Sequence, residues 1–272
     1  MTRWRLLLSA PASGSTNMAL DEAILWSAAQ KLTPPTLRLY DWHPATLSLG
    51  FAQPYLDTDM EALKRENWSL VRRPTGGRAI MHVDELTYAV AAPVDDPLLS
   101  GSLLESYRKI SCALLAGLSV LQVKAVGDKT YDNGVTGQVV NPVCFETPSN
   151  YEITVNGKKL IGSAQARKHG GLLQHGSLPI KGDITRITRV LKYTTPAERR
   201  EAAGKLALRA TTLEEILRHA PDWRIVADGI ITGFREFFNL DLVPGETTHD
   251  ELQMADELAR NKYASPEWTF RI

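Results

Sequence analysis

Cys144 and Lys159 are the residues whose types and spacing could supply a nucleophile and its activator. Cys144 follows Asn141-Pro142 and precedes Thr147-Pro148-Ser149, so it belongs to a loop rather than to a core strand. Only a thiolate is nucleophilic, and a nearby ammonium lowers the thiol pKa by favouring the charged form. The same two residue types also describe a half-buried thiol beside a solvated lysine, which is the commoner arrangement in proteins at large. Gly76-Gly77 forms a second point of interest, because two residues without a Cβ let the backbone turn sharply and approach a ligand. Arg72 and Arg73 precede that pair and His82 follows it. The stretch lacks the Lys-Ser/Thr ending of a P-loop and the third glycine of a dinucleotide fingerprint, which disfavours nucleotide binding by those two routes. His175 lies in an apolar run, either near the site or as a structural histidine, and Cys112 reads as a thiol at the edge of a helix core.

The elements around these residues follow from periodicity. Tyr151, Ile153 and Val155 alternate with polar residues, Asn156-Gly157 supplies a type I′ turn, and Lys158 to Ile161 returns as a second strand. This hairpin pairs Val155 with Lys158, Thr154 with Lys159 and Ile153 with Leu160, and sets Lys159 on the face opposite Ile153 and Leu160. Arg3 to Leu8 reads as a strand, followed by a helix through Leu20, Ile24 and Ala28 that is capped within Ser15-Thr16-Asn17. Asn17 and Asp21 are then capping and dipole residues. Leu37, Leu39 and the run 46–51 suggest paired strands about a turn at Asp41 to Pro44, and Asp57 a cap for a short helix over Met60 to Glu66. A helix spans 101–122, and Leu172 to Leu178 is another strand. Beyond about residue 180 helices dominate, two of them opened by Thr212 with Glu215 and by Thr248 with Glu251 as capping boxes, with a short strand at 240–243. Strands first and helices later predict an α+β fold, a twisted mixed β-sheet flanked by helices. A single domain over 1–272 is expected, with its core at about 31–245 and a helical C-terminal segment at about 246–272.

Composition narrows the partners. With 31 basic and 31 acidic residues the formal net charge is zero, so nothing marks a nucleic-acid or anionic-membrane partner. Two cysteines make no disulfide framework, and no Cys/His cluster has metal-ligand spacing. The Leu6-Leu7-Leu8 run is too short for a signal peptide, and no stretch approaches the ~20 apolar residues of a membrane span. A soluble cytoplasmic protein is expected.

Two motifs carry a resemblance. Arg72-Arg73-Pro74-Thr75-Gly76-Gly77 with His82, and Lys159-Leu160-Ile161-Gly162-Ser163-Ala164-Gln165 with Gln174-His175-Gly176-Ser177, are similar to the signatures of the lipoate and biotin protein ligase and octanoyltransferase superfamily. The likeness runs from Asn17-Met18-Ala19-Leu20-Asp21 to Lys262-Tyr263 and Trp268. Cys144-Phe145, Pro148-Ser149 and Tyr151, with fifteen residues from Cys144 to Lys159, resemble its cysteine-dependent octanoyltransferase branch. That resemblance implies the ligase-like fold, no cofactor, no ATP and no metal. It also implies transfer of octanoyl from acyl carrier protein to a lysine of a lipoyl domain, in the glycine cleavage H protein or an E2 subunit. Cys144 would be the acyl-thioester nucleophile and Lys159 its partner. Arg72, Gly76, Gly77, Ala79, Ile80, His82, Gly162, Ser163, Ala164 and His175 would bind substrate. The rivals are an amidotransferase acting between lipoyl domains, an ATP-dependent lipoate ligase, and a non-catalytic acyl-binding or scaffold protein. Ligases usually carry a third glycine where this chain has Arg78.

Overall fold

Short alternating runs build two sheets of unequal size in the computed structural model, which describes residues 1–128 and 152–272. Cys144 and Tyr151, and with them the start of the expected hairpin, lie outside the described residues. The larger sheet holds β1 (Thr2–Leu8), β2 (Thr36–Tyr40), β6 (Glu85–Pro93), β7 (Val126–Asp128), β8 (Glu152–Val155), β9 (Lys158–Lys168), β10 (Gly171–Pro179) and β11 (Leu240–Pro244). Their order is β11-β1-β2-β6-β10-β9-β8-β7. Pairing is parallel for β11-β1-β2 and antiparallel from β2 onward, so the sheet is mixed as expected. The smaller sheet holds β3 (Thr46–Leu49), β4 (Ser69–Arg72) and β5 (Ile80–His82), in the order β4-β3-β5. The sheet begins well before residue 31, since β1 lies between β11 and β2.

Period-two alternation divides the large sheet's side chains between two cores. Leu37, Leu39, Tyr88 and Val90 face α3 (Leu103–Val120) and α6 (Trp223–Phe238), joined by Ile110, Leu114, Ile230 and Phe234. Tyr40, Ala89, Ala91 and Leu173 face α1 (Gly14–Ala29) and α7 (His249–Leu258), against Met18, Ala23 and Ile24. The small sheet keeps a third core, built with α2 (Met60–Arg65), the 3-10 turn Ile184–Arg189 and α4 (Pro196–Arg209). Each fully buried leucine or isoleucine contributes roughly 1.5–3 kcal/mol relative to exposure. The tight connection from β5 to β6 carries the chain directly from the small sheet to the large one.

Several local expectations are corrected. The alternation at 37–39 and 46–49 does mark strands, but β2 pairs with β1 and β6 while β3 pairs with β4 and β5. Helix α1 is capped by Ser13, whose hydroxyl accepts from the Thr16 N–H, and α2 by Asp59 rather than Asp57. Asn17 and Asp21 cap nothing, and both are buried. In the hairpin the turn holds, with φ 51° at Asn156 and 76° at Gly157, as do the pairs Val155–Lys158 and Thr154–Lys159. A bulge then shifts Ile153 from Leu160 to Ile161. The extra residue lets Leu160 and Ile161 both enter the α3/α6 core, while Lys159 stays on the other face of β9, the face on which Gly162 and Ala164 follow. The Thr248–Glu251 capping box is complete. Thr212 accepts from the Glu215 N–H, but the Glu215 carboxylate takes the Thr211 hydroxyl instead of closing the box.

Candidate active site

The facing surfaces of the two sheets leave a slot of about 340 Å³ including its mouth. The large sheet contributes Gly162, Ser163 and Ala164 of β9 and His175, Gly176 and Ser177 of β10, which the β9–β10 register aligns by pairing Gly162 with Ser177 and Ala164 with His175. The small sheet contributes Ser48, Ile80 and His82, and α1 closes one end with Met18. Trp42 stacks on His82, with ring centroids 4.0 Å apart and 14° between planes, giving a flat aromatic wall. Such a narrow, mostly apolar cleft suits a straight hydrocarbon chain.

Polar groups around the slot are tied into networks, which removes the cost of burying them. His82 Nδ1 lies 2.7 Å from Glu85 Oε1, and Nε2 lies 2.8 Å from Ser48 Oγ. A carboxylate only accepts, so Nδ1 carries a proton. Glu85 also accepts from Thr87 and Ser177, and Trp42 Nε1 donates to Thr87 Oγ1 at 2.7 Å. At the opposite end Asp21 accepts from Arg38 (2.7 Å), Tyr40 (2.8 Å) and His175 Nδ1 (3.0 Å). His175 Nε2 is 2.6 Å from Thr75 Oγ1. Burial opposes ionisation of Asp21, yet the His175 hydrogen bond and the Arg38 charge hold its carboxyl below the ordinary value. Burial pushes the His175 ring down, against the pull of Asp21, so the ring is neutral and accepts from Thr75. Burial and the Asp21 charge raise Tyr40 well above a normal phenol, which keeps it a donor.

Of the residues singled out by sequence, the fold brings Ile80, His82, Gly162, Ser163, Ala164 and His175 to the slot. Arg72 does not line it. Its buried guanidinium donates to the carbonyls of Gly50, Gln53 and Thr269, clamping the C-terminal segment to β4. Ala79 is buried in the small-sheet core, and Gly76 and Gly77 sit in the loop whose next-door carbonyls hold Arg73. Gly77 has φ +88°, a conformation that glycine adopts without penalty. Lys159 is buried, with Nζ 2.6 Å from Glu152 Oε1, whereas Lys158 reaches the Ala207 carbonyl at 2.8 Å. Cys144 lies outside the described residues. Sequence reasoning missed Met18, Trp42, Arg73 and the Asp21 network. The available signal was an Asp on α1 together with an Arg and a Tyr on one face of β2.

Among the described residues no group of His, Cys, Asp and Glu is arranged to hold a metal ion, and no helix is long and apolar enough to cross a membrane.

Comparison with known proteins agrees with this geometry. Residues 13–235 match the family model described as lipoyl protein ligase A/B catalytic domain. The chain is 42% identical to octanoyltransferase LipM of Moorella thermoacetica over 98% of both chains. It is 38% identical to octanoyltransferase LipM of Carboxydothermus hydrogenoformans over the full length of both. Among solved structures it superposes on a bi-partite lipoate protein ligase of Thermoplasma acidophilum with TM-score 0.82 and 25% identity, covering 99% of this chain and 97% of that one. The chain therefore belongs to the lipoyl protein ligase A/B catalytic-domain family and, by its full-length matches, to the octanoyltransferase branch of it.

Proposed function

We propose that the protein transfers octanoyl from acyl carrier protein to a lysine of a lipoyl domain, in the glycine cleavage H protein or an E2 subunit, in the cytoplasm. The observation that carries this reading is a slot with paired-off polar walls on the same face of β9 as Lys159. The octanoyltransferase relatives support the reaction class. The Cys144 thiolate attacks the thioester carbonyl, a new sulfur–carbon bond forms, and the carrier thiolate leaves and takes up a proton. The acceptor amine then attacks this second thioester, an amide forms, and the Cys144 thiol is regenerated. Lys159 stabilises the thiolate, and Ile80, His82, Gly162, Ser163, Ala164 and His175 hold the acyl chain. The loop with Gly76 and Gly77, held by Arg73, forms one lip of the site, and Arg72 and Ala79 support it from the small sheet behind.

Incubation with octanoyl carrier protein should give a hydroxylamine-labile adduct of one octanoyl group by intact mass. Cys144→Ser should abolish it, and Cys112→Ser should leave it. An adduct on Cys112 would overturn the mechanism, and so would acylation of a lipoyl domain that requires free octanoate and ATP.

A further inference from the structure

A hydroxyl, an imidazole and a carboxylate stand in line in the wall of the slot, apart from the Cys144 and Lys159 pair. Ser48 Oγ lies 2.8 Å from His82 Nε2, and His82 Nδ1 lies 2.7 Å from Glu85 Oε1. This is the order in which a serine is made nucleophilic by a base that a third group orients, and it is recognised by geometry and roles on any fold.

Local structure brings the three together. Leu47 and Leu49 alternate into the small-sheet core, so Ser48 faces the opposite way, into the slot. Thr46 pairs with His82 across β3 and β5, which leaves His82 one diagonal step from Ser48 on the same face. The chain then turns through Asp84, at φ 54°, and returns with Glu85 three residues after His82. Trp42 stacks on the imidazole at 4.0 Å, and Thr87 and Ser177 both donate to the Glu85 carboxylate, which holds the base and its orienter in place.

The proton inventory runs in the direction that catalysis requires. Glu85 only accepts, so Nδ1 keeps its proton toward Glu85, and Nε2 of the neutral tautomer accepts. Arg73 Nη1 donates to Ser48 Oγ at 3.1 Å, and the hydroxyl hydrogen is left to Nε2. The guanidinium also sets a positive charge beside the oxygen that becomes anionic during attack. Burial asks only that such groups be paired. It does not ask that a nucleophile, its base and a cation all front one acyl-sized cavity, as Ser48, His82 and Arg73 do.

We propose that Ser48, His82 and Glu85 form a second catalytic centre, which transfers a medium-chain acyl group from a thioester or ester to water. The proposal rests on the reading of the slot as an acyl site and does not involve Cys144. Ser48 Oγ attacks the acyl carbonyl carbon while its proton passes to His82 Nε2. The oxygen–carbon bond forms, the sulfur–carbon bond breaks, and the leaving thiolate takes that proton. Water then attacks the Ser48 ester and gives a proton to Nε2, the bond from carbon to Oγ breaks, Oγ is reprotonated by Nε2, and the fatty acid is released. Glu85 offsets the positive charge that the ring acquires in both steps. Because water turns the ester over, this centre yields free acid rather than an adduct that accumulates.

A serine-directed octyl fluorophosphonate tests the centre, since it loses fluoride and leaves a stable phosphonyl ester on the attacking oxygen. Peptide mapping by mass spectrometry should place one phosphonyl group on Ser48, in the wild type and in Cys144→Ala alike. The wild-type site is read in the unaltered chain, so it does not depend on any variant folding. His82→Gln, which cannot take up the proton, should slow labelling by about 100-fold or more, with its urea midpoint measured beside it. Cys144→Ala given the octanoyl thioester of N-acetylcysteamine should release octanoate, and adding Ser48→Ala should stop that release. Label on another residue, or no label, would overturn the proposal and leave the three groups as a structural network. Octanoate release that survives Ser48→Ala but not His82→Gln would overturn it as well, by assigning His82 to the activation of water without a serine ester. An octanoyl adduct on Cys144 in a protein whose Ser48 stays unlabelled removes this centre alone, whereas failure of Cys144 acylation and of octanoate release together means that the acyl-site reading itself has failed.

Discussion

Asp21 receives donors from Arg38, Tyr40 and His175, and is fully buried behind the His175 end of the slot. Removing it strands a buried guanidinium, and loss of one partner of a buried ion pair typically costs about 3–5 kcal/mol. Asp21→Ala should therefore lower the urea midpoint sharply, and a change equivalent to less than about 1 kcal/mol would show that Arg38 finds another partner. Sequence reading gave Asp21 a helix-dipole role because its partners are 17 and 154 residues away along the chain. Nothing local in α1 distinguishes a buried hub from a solvated carboxylate. For Lys159 the local signal sufficed, since the Asn156-Gly157 turn dictates which face it takes. Lys159→Ala should raise the pH at which Cys144 reacts with iodoacetamide and slow acyl-enzyme formation, while Lys158→Ala, whose amine contacts Ala207, should do neither. An unchanged profile in Lys159→Ala would remove its activating role.

Hairpin β8–β9 is the element that turns this local signal into geometry. Its type I′ turn needs left-handed backbone at both central residues, and Gly157 has φ 76°. A side chain in that region costs about 1–2 kcal/mol, so Gly157→Ala should cost about that much in denaturant stability, with no effect expected if the turn converts to another type. Thr248→Ala, which opens the capping box of α7, should cost about 1 kcal/mol. The Asn156-Gly157 turn and the Thr248–Glu251 box were legible because each is written in residues at most three apart, whereas the caps of α1 and α2 fell to Ser13 and Asp59, each two residues from the expected positions. Strand partnership was not. The clean alternation at 37–39 and 46–49 specifies two half-buried strands, but it carries no information on which strand lies beside which. Beyond the corner at 41–45 β3 joins the small sheet instead of pairing with β2, and the slot lies between the two sheets that result. The bulge in β9 was equally invisible, since Leu160 and Ile161 read as ordinary alternation until both are found in one core.

At the scale of the molecule, sequence resemblance reached further than periodicity, because the motif residues of β5, β9 and β10 converge from distant parts of the chain. The α+β class followed from the order of strands and helices, but the division into two sheets with the site between them did not, since it depends on long-range pairing. That buried arrangement makes stability pH-dependent through His175. The ring is faced by Asp21, Arg73 and His82, and burial leaves its pKa below the ordinary value of 6.5 despite Asp21. The unfolded chain therefore binds more protons than the folded one once the pH drops below about 6.5. Stability from this group is complete above the unfolded value and is lost as pH falls from there toward the folded value, at up to about 1.4 kcal/mol per pH unit. Asp21 acts in a lower window, because its depressed carboxyl stabilises the fold above its unfolded value near 3.8 and releases that stability only as pH falls through the folded value. Urea midpoints measured from pH 7.5 to 5 should thus decline in the wild type. The decline should flatten in His175→Gln, which keeps hydrogen-bonding capacity without titrating in this range. Parallel slopes in the two proteins would mean that His175 takes up its proton equally in the folded and unfolded chains, so that the pull of Asp21 cancels the effect of burial, and a relative gain of the wild type as pH falls would mean that Asp21 governs the ring.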